Sequence, residues 1–329
     1  MQSSKTLSAV LPALVILTIG SIFSAAARAQ AGAESYPDKP VRIIVPFAPG
    51  GSTDLVGRTL AQKMSESWNQ TVVVENRGGG ATIIGTEAAV KSKPDGYTLL
   101  IGVSTLATNP AMQPKLPYEA MHDLEPISML ARAPIVAYIN PSFAPQDLKG
   151  LIVFAKSTAG GVHYGSGGTG TVTHLAAELL RDRTGAPLTH IVYKGGTPAM
   201  ADAIAGHIPM TFATVGQALQ HYRAKQLRAL GVTSAERYPS IPDVPTFKEQ
   251  GFDIITSEWF ALFAPAGTPK PIIDKLNTEV RKIVTLPNLA DRLTAIELIS
   301  SSPQELADFV RRETHQWGEL IRKAGLKEN

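Results

Sequence analysis

The chain has 329 residues, 44% of them hydrophobic and 18% charged, with 31 Lys+Arg against 28 Asp+Glu and no cysteine. That length predicts about two domains, and the composition excludes both a disordered chain and a multi-span membrane protein. A net charge of +3 leaves no electrostatic footprint for nucleic acid, and the lack of cysteine excludes disulfide scaffolds, cysteine-based metal sites and thiol nucleophiles.

The chain starts with Lys5, an uncharged run from Leu7 to Ala27, and the A-x-A site Ala27-Arg28-Ala29 ahead of Gln30. That order predicts a cleavable signal peptide over residues 1–29 and an exported, periplasmic mature chain. An uncleaved anchor is the competing reading, opposed by Pro12 and Gly20 inside the run. With no cysteine after the cleavage site, lipid attachment is excluded. Removing Lys5 and Arg28 leaves 29 basic against 28 acidic residues.

Val41–Pro46 is a continuous apolar run, the pattern of a strand buried on both faces of a parallel sheet. After Ala48-Pro49-Gly50-Gly51, the cluster Ser52/Thr53/Asp54 supplies helix N-cap chemistry, and Val56, Leu60, Met64 and Trp68 mark one helical stripe. Strands follow at Thr71–Glu75 and Tyr97–Val103, with a helix at Ile84–Val90 between them. This βαβαβ order predicts a doubly wound domain. The pattern then restarts: strand Ile135–Ile139, helix Leu148–Lys156, strand Val162–Tyr164, helix His174–Arg183 and strand His190–Tyr193. Helix Met200–Ala205 and strands Met210–Thr214, Leu227–Val232 and Trp259–Ala264 complete it. Helices over Ile272–Ile283 and Leu306–Ile321 end the chain, the last opened by the capping box Ser302-Pro303-Gln304-Glu305.

Two glycine-rich turns carry the functional signal. The first is Phe47-Ala48-Pro49-Gly50-Gly51-Ser52-Thr53-Asp54, and the second is Gly165-Ser166-Gly167-Gly168-Thr169-Gly170-Thr171. In each, glycines let backbone N–H groups converge, hydroxyls add donors, and a helix start adds its positive dipole end. Neither holds Lys or Arg, which suits one carboxylate per turn better than a polyphosphate. Two such cradles across a cleft would clamp a dicarboxylate; ordinary strand–helix connections are the plain alternative. Gly165, Gly167 and Gly170 match the spacing of a dinucleotide fingerprint, but the next strand ends Tyr193-Lys194 and lacks the acidic residue. Tyr164 stands where a hydrolase elbow needs glycine. His174 and Glu178 lie i,i+4 on a helix, where a surface pair is expected rather than a metal site or a base. Asp54 reads as an N-cap, a contact for a ligand ammonium, or a general base. No metal site and no cofactor are expected.

In order along the chain, these motifs resemble the Bug family, the TctC-like extracytoplasmic solute receptors of tripartite tricarboxylate transporters. The matching stretches are VRIIVPFAPGGSTD, VVVENRGGGATIIGTEAAVKSKPDGYTLL, YGSGGTGTVTHLAAELL, HIVYKGGTPAMADAIAGHI, ALGVTSAERYPSIPDVPTFKEQGF and FALFAPAGTP. The resemblance implies an α/β, two-lobed periplasmic-binding-protein fold of type II. Each lobe would be a doubly wound sheet flanked by helices, with residues 36–134 plus 258–329 in one lobe and 135–257 in the other. It also implies that Phe47, Gly50, Gly51, Ser52, Asp54, Ser166, Gly168, Thr169 and Thr171 grip carboxylates. Ser104, Thr105 and Thr214 would line the cleft, and His174 is counted with them among the ligand-binding residues. Gly78, Pro209-Met210 and Thr214 depart from the family pattern.

The function expected is capture of a small carboxylate by interlobe closure and its delivery to TctA-like and TctB-like membrane subunits by a monomeric, non-enzymatic receptor. A receptor feeding a membrane sensor kinase and a periplasmic enzyme using Asp54 or His174 are the alternatives.

Overall fold

The structure, a computed structural model, describes residues 35–113, 115–287, 289, 293 and 295–326. The expected signal peptide at 1–29 lies outside them. Among the described residues no helix is long and apolar enough to cross a membrane.

The apolar run at Val41 becomes β1 (Val41–Val45), whose neighbours are the parallel strands β2 (Val72–Asn76) and β3 (Thr98–Val103). Both faces of this sheet are buried. Val41, Ile43, Val45, Leu99 and Ile101 face α1 (Ser52–Trp68) and α9 (Lys270–Val284), while Ile44 and Leu100 belong to the core on the other side. That second face is covered by α2 (Ile83–Val90) and α3 (Thr105–Met112), with α10 (Pro303–Ala324) packed outside against α3 and α4 (Ala120–Asp123). Burial of Leu306, Val310, Trp317 and Ile321 along α10 contributes roughly 1.5–3 kcal/mol per side chain. The capping box opening α10 is present, with Ser302 and Glu305 bonded to each other's backbone N–H.

Strand β4 (Leu124–Ile139) runs through both halves of the molecule. From Leu124 to Pro134 it pairs antiparallel with β9 (Ser257–Pro265), and β10 (Glu297–Leu298) lies along its Ala131–Arg132 stretch. From Ile135 it changes partners to β7 (Met210–Thr214) and β8 (Arg228–Val232). The strand therefore starts well before Ile135, where the sequence pattern had placed it. Pro126 and Pro134 interrupt the apolar pattern, and register shifts at Pro126/Ser128 and Met129/Ala131 accommodate the irregularity.

The second half repeats the first. β5 (Val162–Gly165) pairs in parallel with β6 (Leu188–Ile191) and β7, and α5 (Leu148–Ser157), α6 (Val172–Thr184), α7 (Gly196–Ala205) and α8 (Val215–Arg223) flank the sheet. β6 sits two residues earlier than the expected His190–Tyr193, because Leu188 is the inward anchor and Val192 is exposed. The spatial order β2-β1-β3-β9-β4-β7-β5-β6 places one α/β unit at each end, joined by β4 and β9. This is the two-lobed, type II periplasmic-binding-protein architecture.

Candidate functional site

The first turn links the carboxyl end of β1 to α1. Gly51, not the Ser52/Thr53/Asp54 cluster, is the N-cap, and it makes no side-chain cap. Asp54 instead reaches back from inside the first helical turn. Its Oδ2 accepts the Gly50 N–H at 3.0 Å and Arg58 Nε at 2.9 Å, and its Oδ1 accepts Asn76 Nδ2 at 2.8 Å. Asn76 Nδ2 also donates to the Phe47 carbonyl at 3.1 Å, so one buried carboxylate and one amide lock the turn to the end of β2. Burial alone would raise the Asp54 pKa. The bonds from Arg58, Gly50 and Asn76, with the Arg58 charge, outweigh it and hold the carboxyl below its usual value.

Gly50 has φ +93°, a conformation that favours glycine, and a Cβ there would meet open space. The next loop packs against this turn, since a Cβ on Gly78 would lie 3.1 Å from the Ala48 nitrogen. Glycine at this position therefore permits close backbone approach. The same loop ends in a strained pair, Ala81 and Thr82, both at positive φ. The Thr82 hydroxyl bonds that of Thr105 at 2.6 Å, and Asn109 Nδ2 holds the Ala81 carbonyl at 2.9 Å. Ser104, at the carboxyl end of β3, is fully buried and donates its N–H to Glu258 Oε1 at 3.0 Å. Burial pushes the Glu258 carboxyl up to about 7, against the lowering effect of that bond.

The second turn links β5 to α6, whose N-cap is Thr171. Most of its polar groups satisfy one another. Thr173 Oγ1 accepts the Gly167 N–H at 2.9 Å, Ser166 Oγ accepts the Gly168 N–H at 3.1 Å, and Thr171 Oγ1 donates to the Gly168 carbonyl at 2.7 Å. Ser166 is buried and also bonds His190 Nε2 at 2.7 Å, so it shapes the turn from behind. Thr169 is partly exposed.

His174 is likewise behind the turn. Its Nδ1 accepts the Gly170 N–H at 3.1 Å, and its ring stacks on His190 with centroids 4.1 Å apart. Burial holds both rings neutral, with His174 lowered to about 3, assisted by His190 and Arg181, and His190 lowered to about 4. The expected surface pairing of His174 with Glu178 is corrected: the pair is buried, with Nε2 3.7 Å from Oε1, which accepts the Tyr164 hydroxyl at 2.9 Å, while Oε2 ion-pairs with Arg181. Core packing of α6 against β5 draws both residues inward.

The two turns do not bond directly to each other. Ser52 Oγ meets Thr214 Oγ1, the N-cap hydroxyl of α8, at 3.3 Å, while Thr108 on α3 donates to the Gly170 carbonyl at 2.8 Å. The starts of α1 and α8 thus meet where the two halves join, and α3 holds the turn ahead of α6 through Thr108; the helix starts favour negative charge. Gly50, Gly51, Ser52 and Asp54 line a cavity of about 520 Å³, closed on the other side by Thr197, Met200 and Gln217. Phe47, Ser104, Thr105, Ser166, Gly168, Thr169, Thr171, His174 and Thr214 do not line it. Sequence reasoning passed over Asn76, Thr82, His190 and Glu258. Asn76 carried one usable signal, its place at the carboxyl end of a parallel strand. Among the described residues no group of three or more His, Asp or Glu is placed to hold a metal ion.

A profile of the family described as "Tripartite tricarboxylate transporter family receptor" (TctC) matches residues 56–326. The protein BugT of Bordetella pertussis is 36% identical over 319 residues, 95% of this chain and 98% of BugT. Among solved structures, R. palustris Rpa4515 with adipate superposes with a TM-score of 0.85 at 30% identity, covering 89% of this chain and all of that one. MatC from Rhodopseudomonas palustris, with bound malate, gives 0.81 at 29% identity, covering 87% of this chain and all of MatC. The chain belongs to the TctC family of tripartite tricarboxylate transporter receptors, the family of the Bug proteins.

Proposed function

We propose that this receptor captures a small carboxylate between a lobe of residues 36–134 plus 258–329 and a lobe of residues 135–257. It then delivers the ligand to TctA-like and TctB-like membrane subunits. Export is by a signal peptide over residues 1–29, and the protein acts in the periplasm as a monomer that makes and breaks no bond. The observation that carries the reading is that helix starts from the two halves meet, Ser52 against Thr214, with the second turn held on α3 at Gly170, and that neither glycine turn contains Lys or Arg. Backbone N–H groups and hydroxyls there suit carboxylates, and two relatives were solved with adipate and malate. The change of partners along β4 at Pro134/Ile135 and the return at Ser257 support the lobe boundaries. Ligand that bridges the turns favours the closed arrangement, in which the Ser52–Thr214 and Thr108–Gly170 contacts form.

A thermal-shift screen of malate, adipate, citrate and monocarboxylates tests this. A bound acid at a hundred times its Kd stabilises by about 2.7 kcal/mol, a rise of several degrees. If no carboxylate shifts the melt while an uncharged or cationic metabolite does, carboxylate capture is refuted.

A further inference from the structure

A second cavity, of about 720 Å³, shares Leu293 and Ile296 with the first, but none of the residues assigned above to carboxylate binding lines it. One wall is α10, through Phe309, Glu313 and Trp317. The opposite wall is the segment after β8, through Tyr238 and Ser240. That segment is fastened to the second half of the molecule where Thr233 Oγ1 accepts the Ile135 N–H at 2.9 Å.

The charges around this cavity are unequally matched. Arg132 grips Glu297 with two bonds of 2.7 and 2.8 Å, and Arg237 pairs with Glu249 at 2.9 Å. Glu313 forms no ion pair among the described residues; its Oε2 accepts only the Trp317 indole N–H, at 2.8 Å. Burial raises its pKa, against the lowering effects of the Trp317 and Trp259 indoles and the Arg312 charge. Ser240 Oγ is buried with no hydrogen-bond partner among the described residues. A recessed carboxylate beside tyrosine, phenylalanine and tryptophan rings provides both the countercharge and the π faces that a cation with an apolar body requires.

We propose that this cavity is a second binding site, for a small organic ammonium whose charged head sits on Glu313 and whose hydrocarbon body packs against Tyr238, Phe309 and Trp317. Its walls come from both halves of the molecule, so occupancy is linked to closure and to ligand affinity in the cleft, in both directions. That linkage rests on the carboxylate-receptor reading; binding of the ammonium does not.

Isothermal titration of the full mature chain with phenethylammonium chloride at about pH 8, where the amine is charged, tests the site. 2-Phenylethanol and 3-phenylpropanoate serve as matched neutral and anionic probes. One-to-one saturable binding of the ammonium is expected, with both controls at least about tenfold weaker, and Glu313→Gln should weaken the ammonium at least about tenfold. Tyr238→Ala should weaken it about threefold and serves if the Glu313 variant does not fold. No saturation by about 10 mM, equal binding of the alcohol, or unchanged affinity in the folded variants overturns the proposal. Loss of ammonium binding in Thr169→Ala also overturns it, because the amine would then occupy the cleft. Failure of the carboxylate screen alone would leave this site standing.

Discussion

Replacing Asp54 by alanine removes the acceptor shared by Gly50, Asn76 and Arg58. A hydrogen bond to a charged acceptor contributes about 1.5–3 kcal/mol. The Arg58 side chain is 53% exposed and recovers water, so its share is no more than about 1 kcal/mol. Gly50 is exposed and its N–H is also partly rehydrated, whereas Asn76 loses its carboxylate acceptor and keeps the Phe47 carbonyl and the Arg58 donor. The sum is a loss of about 2–4 kcal/mol, or roughly 5–10 °C in Tm for a chain of this size. Circular-dichroism melts of the wild type and the variant measure it. The folded carboxyl titrates below its unfolded value near 3.9. Its contribution is therefore complete above that value and fades as acidification passes through the lower folded pKa, so the two melts should converge as the pH falls below the folded pKa. A variant that melts within about 1 °C of wild type at neutral pH would refute the clamp. Reduced ligand affinity at unchanged stability would instead make Asp54 a ligand contact.

Thr169→Ala should weaken carboxylate binding by about 0.5–3 kcal/mol with little change in melting, while Ser166→Ala should lower both affinity and Tm because its hydroxyl holds Gly168 and His190. Calorimetric affinity unchanged in both variants removes the second turn from the site. Glu258, with a folded pKa near 7 against 4.5 unfolded, binds a proton more tightly when folded. The wild type should therefore lose on the order of 2 kcal/mol as pH rises from about 4.5 to 7, and Glu258→Gln should flatten that dependence. Urea titrations at the two ends of this range measure the difference; an equal slope in both proteins sinks the assignment.

Local pattern was a good guide wherever one element buries one stripe or two faces. β1 and α1 stand where the apolar run and the four-residue spacing put them, and β7 matches Met210–Thr214 residue for residue. The pattern failed where tertiary contacts overrode it. α3 is buried nearly all round and contains Pro110, so it offers no amphipathic stripe. The first part of β4 mixes Glu125, Pro126, Arg132 and Pro134 into its apolar residues, yet β9 secures it by pairing. The two turns were legible from their glycines and hydroxyls. The groups that hold them were not: Asn76 reaches Asp54 from 22 residues away, and His190 reaches Ser166 from 24. No local spacing rule spans such distances.

Strand β9 lies between β3 and β4 in the first sheet, yet it begins at Ser257, more than a hundred residues after both. A chain that emerges from its amino end therefore presents β3 with an open edge and β4 without its main partner until the second half has been made. Long-range pairing of this kind is slow, and open edges invite association with other chains. The lobe that starts first is the one completed last. Its exposure to aggregation is set by how quickly residues 257–265 arrive, so any holding chaperone would matter most during that interval.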